Sequence, residues 1–114
     1  MPCILLVEDD LAVRSLVEEV LCDSGYEVDA ESTVAGGLAL LAARAYDLLL
    51  TDGRLPDGHG LTVAAKAKEI GVRVLVFTGY AHELPREQRE SVTVLQKPVR
   101  MRELLGAITQ SLNS

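Results

Sequence analysis

Asp52 closes a short apolar run, Leu48-Leu49-Leu50-Thr51, and a stretch rich in Gly and Pro follows it over residues 53–60. Glu8 and Asp9 close a second apolar run, Thr78 a third and Lys97 a fourth. Acids, a hydroxyl and an amine thus each stand just past an apolar segment, and together they suit one chemistry. Carboxylates brought close repel and raise one another's pKa, and a divalent cation relieves that repulsion. Oxygen donors with neither His nor Cys favour Mg2+ over zinc. Mg2+ keeps several waters and takes few carboxylates plus a substrate phosphate. An ionised carboxylate such as Asp52 can attack a phosphoryl group. The cation and Lys97 would offset the charge on the transferred oxygens, and the Thr78 hydroxyl would bond one of them.

For these groups to meet, the apolar runs must be parallel strands. Their carboxyl ends then lie along one edge, where open α/β sheets bind ligands. The remaining pattern supplies that scaffold. Residues 3–7, 48–51, 72–77 and 92–95 read as buried strands, and the alternating residues 26–31 as an edge strand. Val13, Leu16, Val17, Val20 and Leu21 predict a helix over 11–23, with Asp10 as N-cap and Gly25 as stop. Thr33 caps a second helix with the stripe Val34, Leu38, Leu41 and Ala42. Gly36 and Gly37 each cost it about 1 kcal/mol against Ala, which predicts a frayed or displaced start. Leu61, Ala64, Ala65, Lys68 and Ile70 mark a third helix closed by Gly71. Residues 82–91 leave room for a single helical turn over 86–90, opened by Pro85. Met101, Leu104, Leu105, Ile108 and Leu112 form the last helix. Strand and helix alternate five times, the fourth helix short or absent, which predicts an α/β fold with a parallel sheet covered on both faces.

The 114 residues suit one domain over 1–114, with an aliphatic core because the chain has one Phe, three Tyr and no Trp. A net charge of −6 and the lack of any basic run argue against nucleic acid and anionic membrane as partners. Cys3 and Cys22 suit neither a zinc site nor a disulfide framework. No signal peptide is visible, and no apolar stretch approaches the ~20 residues of a membrane span. A reducing, cytoplasmic setting is the expectation.

With Glu8-Asp9, Asp52, Pro56 and Gly60 in the loop beyond it, Thr78, and Lys97-Pro98, the chain resembles the receiver domain of a two-component response regulator over essentially its whole length. The resemblance implies a flavodoxin-like (βα)5 three-layer sandwich with strand order 2-1-3-4-5. It implies Asp52 as phosphoacceptor, with Thr78 and Lys97 contacting the phosphoryl group. It implies Asp9 as a direct Mg2+ ligand beside Asp52, Glu8 as a ligand through water, and the backbone carbonyl of Arg54 as a further ligand. A cis Lys97-Pro98 bond belongs to the same expectation. A histidine kinase or histidine phosphotransfer protein would donate the phosphoryl group, and a downstream protein would read it. A monomer or weak dimer is expected, with self-catalysed phosphotransfer and slow autodephosphorylation rather than an enzyme's turnover.

Several positions depart from that family. Val94 stands where a switch aromatic is common, Gly79 where Ala usually follows the Thr, and Gly53 where a larger apolar residue is common. The interval from Thr78 to Lys97 is short, as in single-domain receivers with a reduced fourth helix. Switching by reordering of residues 78–91 is therefore expected in place of an aromatic rotamer. Asp57 reads as a solvated turn residue, and His59 and His82 as loop residues, His59 at the cap of the third helix. Arg54 and Tyr80 flank the site and would tune the access of water. The last helix ends near Leu112, so a stand-alone receiver with no output domain is expected; a receiver excised from a hybrid kinase is the alternative. A small Mg2+-dependent phosphohydrolase would want an acid two residues past Asp52, where Arg54 stands. A pseudo-receiver is disfavoured by the intact Asp9, Asp52, Thr78 and Lys97.

Overall fold

Short aliphatic runs hide best between two layers of helix, and the strands are arranged accordingly. The computed structural model describes residues 1–79, 86–87 and 92–113. β1 (Cys3–Val7), β2 (Glu27–Glu31), β3 (Leu48–Asp52), β6 (Arg73–Thr78) and β7 (Thr93–Gln96) form one five-stranded sheet in the order β2-β1-β3-β6-β7. All its pairings are parallel. This is the expected 2-1-3-4-5 order once a small separate hairpin, β4 (Arg54–Leu55) with β5 (Gly58–His59), is set aside. That hairpin was not expected; residues 53–60 read only as a loop. The helices are α1 (Leu11–Asp23), α2 (Val34–Ala43), α3 (Gly60–Glu69) and α4 (Met101–Leu112). The turn expected over residues 86–90 falls mostly outside the described residues; Arg86 and Glu87 within it are helical.

Alternation along the strands splits the core into two layers. Ile4, Leu6, Leu48, Leu50, Leu75 and Phe77 face α1 and α4, meeting Val17, Leu21, Leu104 and Ile108. Leu5, Val7, Leu49, Val74 and Val76 face α2 and α3, meeting Val34, Leu41, Val63 and Ala67. β3 is buried at every residue, as a strand with neighbours on both edges and helices on both faces must be. β2 is the predicted edge strand.

Local signals set the ends of α1. The Asp10 carboxylate accepts the Val13 N–H at 3.1 Å, and Gly25 leaves the helix at φ +94°, a conformation that favours glycine. Two helices correct the sequence reading. α2 is not frayed at its start: it begins directly after Thr33, whose hydroxyl accepts the Gly36 N–H at 2.9 Å. Its glycines serve packing. A Cβ on Gly37 would stand 3.1 Å from Val7 Cγ2 and 3.3 Å from Val63 Cγ1, so the missing side chain lets α2 lie close to β1 and α3. Ala42, expected in the stripe, is exposed. α3 buries Val63, Ala64 and Ala67 and exposes Ala65, Lys68 and Ile70, a face turned from the expected one. With Gly60 the buried residues stand at i, i+3, i+4 and i+7, and Gly60 itself lies where a Cβ would fall on the Asp52 carbonyl oxygen.

The two α2 glycines should respond oppositely to alanine. A Cβ on Gly36 meets the Glu31 carboxylate at 2.6 Å, the movable end of a flexible side chain, so Gly36→Ala is expected to cost nothing or to gain up to about 1 kcal/mol from helix propensity. Gly37→Ala has the same propensity but crowds stiff β-branched neighbours, and a net loss of about 1–2 kcal/mol is expected. Urea unfolding midpoints of the two variants check this; equal effects would contradict it.

Candidate functional site

Backbone pairing carries the strand ends into the site. Just past β1, Glu8 N–H donates to Glu31 O at 2.9 Å, and just past β7, Lys97 N–H donates to Thr78 O at 2.9 Å. Glu8, Asp52 and Thr78 are buried, whereas Asp9 is exposed at the rim. Glu8, Asp9 and Asp52 each offer a carboxylate oxygen, and the three oxygens lie within 4.8 Å of one another. Lys97 reaches in from the far side. Its ammonium donates to Glu8 Oε1 at 3.1 Å and to Asp52 Oδ2 at 3.1 Å, and it lies 4.7 Å from the centre of the Phe77 ring, a favourable place for a cation. The Lys97-Pro98 bond is cis, as expected.

Among the described residues, three carboxylates meet at this edge and Lys97 is the ammonium bonded to two of them. Burial, followed by the neighbouring Asp52 carboxylate, pushes the Glu8 carboxyl up to about 8, although Lys97 pulls the other way. Burial alone would lower the Lys97 pKa; Asp52 and Glu8 outweigh it, and the ammonium is held above its usual range. Glu8 Oε2 is buried with no hydrogen-bond partner among the described residues, a costly condition for a polar atom. An all-oxygen donor set, an excess of carboxylate over ammonium and an unpartnered buried oxygen fit a small hard divalent cation.

Glycines shape the Asp52 side of the site. Gly53 N–H donates to Asp52 Oδ1 at 2.7 Å, fixing that end of the carboxylate, and Gly53 O accepts the Gly60 N–H at 3.0 Å. A Cβ on Gly53 would stand 2.7 Å from Thr78 Oγ1 and 2.8 Å from Thr78 Cβ. The Thr78 side chain therefore occupies the space that a larger residue after the acceptor would fill. Arg14 reaches back from α1 to donate to Glu8 O at 2.9 Å, supporting the acidic turn.

The structure thus brings Glu8, Asp9, Asp52 and Lys97 together and seats Thr78 beside them against Gly53. Arg54 lies in β4, two residues beyond Asp52, with its side chain exposed. Tyr80 and His82 lie outside the described residues. His59 precedes α3 as N-cap but makes no side-chain cap bond. Asp57 is exposed in a turn, as the sequence reading has it, and it also makes contacts that the reading did not contain. Its oxygens accept Val34 N–H at 2.8 Å and Ala35 N–H at 3.0 Å, the first donors of α2. Those backbone bonds hold its carboxyl below the usual range. Gly53, Arg14 and Asp57 were missed as contributors. For Asp57 no local pattern could have served, since its partners lie 22 and 23 residues away.

Residues 4–109 match the response regulator receiver domain. The response regulator receiver protein CpdR of Brucella abortus is 31% identical over 121 aligned positions, covering 98% of each chain. The transcriptional regulator NtrC of Azospirillum brasilense is 28% identical over 97% of this chain, which spans only 24% of that longer protein. Among solved structures, the response regulator TrrA of Thermotoga maritima, determined with Mg2+ and BeF, aligns with a TM-score of 0.87 and 26% identity, covering 96% of this chain and 98% of its own.

The contact between Gly53 and Thr78 makes a steric prediction. Gly53→Ala forces the end of β6 or the Thr78 rotamer to move, and both are buried and stiff. A loss of about 1–3 kcal/mol in urea unfolding is expected; an unchanged midpoint would contradict the packing described.

Proposed function

For a chain that belongs to the response regulator receiver domain family, we propose that Asp52 accepts a phosphoryl group from the phosphohistidine of a histidine kinase or a histidine phosphotransfer protein. The observation that carries this reading is the shared ammonium: Lys97 Nζ touches Asp52 and Glu8 at 3.1 Å each, at a sheet edge that also holds Asp9. A carboxylate oxygen of Asp52 attacks phosphorus. The new O–P bond forms as the N–P bond to the imidazole breaks, and the electron pair returns to the ring nitrogen. Gly53 N–H holds the carboxylate by Oδ1, so the attacking group is oriented beforehand. Lys97 offsets negative charge on the phosphoryl oxygens, and the Thr78 hydroxyl bonds one of them.

Mg2+ is the cation of this reading; Asp9 and Asp52 would hold it, with Glu8 acting through water and the Arg54 backbone carbonyl as a further ligand. When bound it supplies positive charge for the phosphoryl oxygens. Receiver domains are phosphoacceptors rather than turnover enzymes, and the same role is proposed here.

The transferred group would compete with Glu8 for the Lys97 ammonium and draw Thr78 inward, shifting a pre-existing equilibrium. Gln96 connects the two ends of that change, since its amide donates to Gly79 O at 3.1 Å and to Lys97 O at 3.2 Å. Reordering of the segment after Thr78 is therefore the proposed switch. An apolar groove of about 460 Å³, lined by Val13, Leu16, Phe77, Pro98 and Met101 among others, opens beside Lys97. Leu16 in its lining is exposed, which suits recognition by protein partners. No helix among the described residues is long and apolar enough to cross a membrane, and a cytoplasmic setting is part of the proposal. The match to CpdR across 98% of both chains supports a receiver that acts through contact or onward phosphotransfer.

Incubation with acetyl phosphate and Mg2+, followed by intact mass, tests the acceptor. One added phosphoryl group is expected on the native chain and none on Asp52→Asn. No gain on the native chain would overturn the function, and a gain that persists in Asp52→Asn would overturn the assignment of Asp52.

A further inference from the structure

The β4–β5 hairpin lies between the site and α2. Each of its strands is two residues long, too short to hold a ribbon by pairing alone. Three attachments fix it. At its root, Gly60 N–H donates to Gly53 O at 3.0 Å. In its middle, Leu55 is buried in the same core as Val34 and Val63. At its tip, Asp57 takes the Val34 N–H on one oxygen at 2.8 Å and the Ala35 N–H on the other at 3.0 Å. An ionised carboxylate at a helix N-terminus makes strong, charge-assisted bonds of this kind. α2 also has its own cap in Thr33, so the bonds from Asp57 do more than start a helix. They join two elements that are distant in sequence.

The tip matters to the site because the root is part of it. Gly53, whose carbonyl closes the hairpin, also donates its N–H to Asp52 Oδ1 at 2.7 Å. Arg54, whose carbonyl belongs to the proposed cation shell, is the first residue of β4. Displacement of the hairpin would carry the Arg54 carbonyl with it and pull on Gly53, whose N–H holds the Asp52 carboxylate. Resting on the cation site proposed above, we infer that Asp57 is a positioning residue for that cation. By clamping the hairpin tip to α2, it holds the Asp52 carboxylate and the Arg54 carbonyl where one ion can use both. Asp57 is itself exposed, so its replacement opens no core.

Mg2+ titrations of the full chain, followed by calorimetry and by the backbone amide resonances of Gly53 and Arg54, test the inference. Outer-shell partners of metal ligands typically contribute 10–100-fold in affinity, and Asp57→Ala is expected to weaken Mg2+ binding about tenfold, the low end of that range. The Gly53 and Arg54 resonances should shift before any Mg2+ is added. Asp57→Asn keeps one acceptor oxygen for the helix N-terminus but sets an amide NH2 where the second oxygen took an N–H, and should recover only part of the affinity. Thr33→Ala weakens the same helix without touching the hairpin and should leave Mg2+ affinity unchanged. Native affinity in Asp57→Ala would overturn the inference alone, and so would a Thr33→Ala variant that loses as much as Asp57→Ala. A wild-type chain that binds no Mg2+ would overturn the cation site and the inference together.

Discussion

The Lys97 ammonium stands 3.1 Å from a carboxylate oxygen of Glu8 and 3.1 Å from one of Asp52, and the sheet is arranged so that this can happen. Buried charges are tolerable only when paired and hydrogen-bonded. The pairing here joins residues 89 and 45 positions apart in sequence, so strand register must deliver it. β2 receives the Glu8 N–H on Glu31 O, and β6 receives the Lys97 N–H on Thr78 O. A slip of one residue in either pairing would send these side chains to the opposite face and strand an acid in the core. The two aliphatic layers enforce the register, because the same slip would also exchange the residues that meet α1 and α4 with those that meet α2 and α3.

Glycine supplies the second constraint. At Gly37, Gly53 and Gly60 an added Cβ would meet Val7, Thr78 and the Asp52 carbonyl respectively. Each close approach joins a helix or a turn to the strands that carry the site. Gly53 is the informative case. The family commonly carries a larger residue after the acceptor; here Gly53 lets the Thr78 side chain pack directly against its backbone.

Much of this was legible in the sequence, for physical reasons. An apolar run that stops at a charged or hydroxyl residue marks both a strand and its exit from the core, so Glu8, Asp52, Thr78 and Lys97 could be placed on one edge. α1 matched at both ends because its signals, the Asp10 cap and the apolar stripe, are local. Most of what escaped depended on contacts across the chain. Propensity argued for a frayed α2, but close packing at Gly37 outweighs it. The buried face of α3, Gly60, Val63, Ala64 and Ala67, does follow a helical period, but its small residues give a weak apolar signal beside Leu61 and Ile70. The short hairpin and the Asp57 clamp have no periodic signature and depend on a partner more than twenty residues away.

Among the described residues the carboxylates of the site exceed the Lys97 ammonium that touches them, and on this account a cation makes up the difference. Glu8 registers the imbalance. A carboxyl raised from 4.5 to about 8 favours the proton in the folded chain. The cation-free protein therefore has this stabilisation in full below about 4.5 and loses it as pH rises toward 8. A bound cation favours the ionised form and lowers the pKa. Carbon-13 titration of the Glu8 carboxyl, without cation and with saturating Mg2+, measures this directly. A midpoint near 8 without cation, falling well below it with Mg2+, is the predicted result. An ordinary midpoint near 4.5 that Mg2+ leaves unmoved would contradict the account.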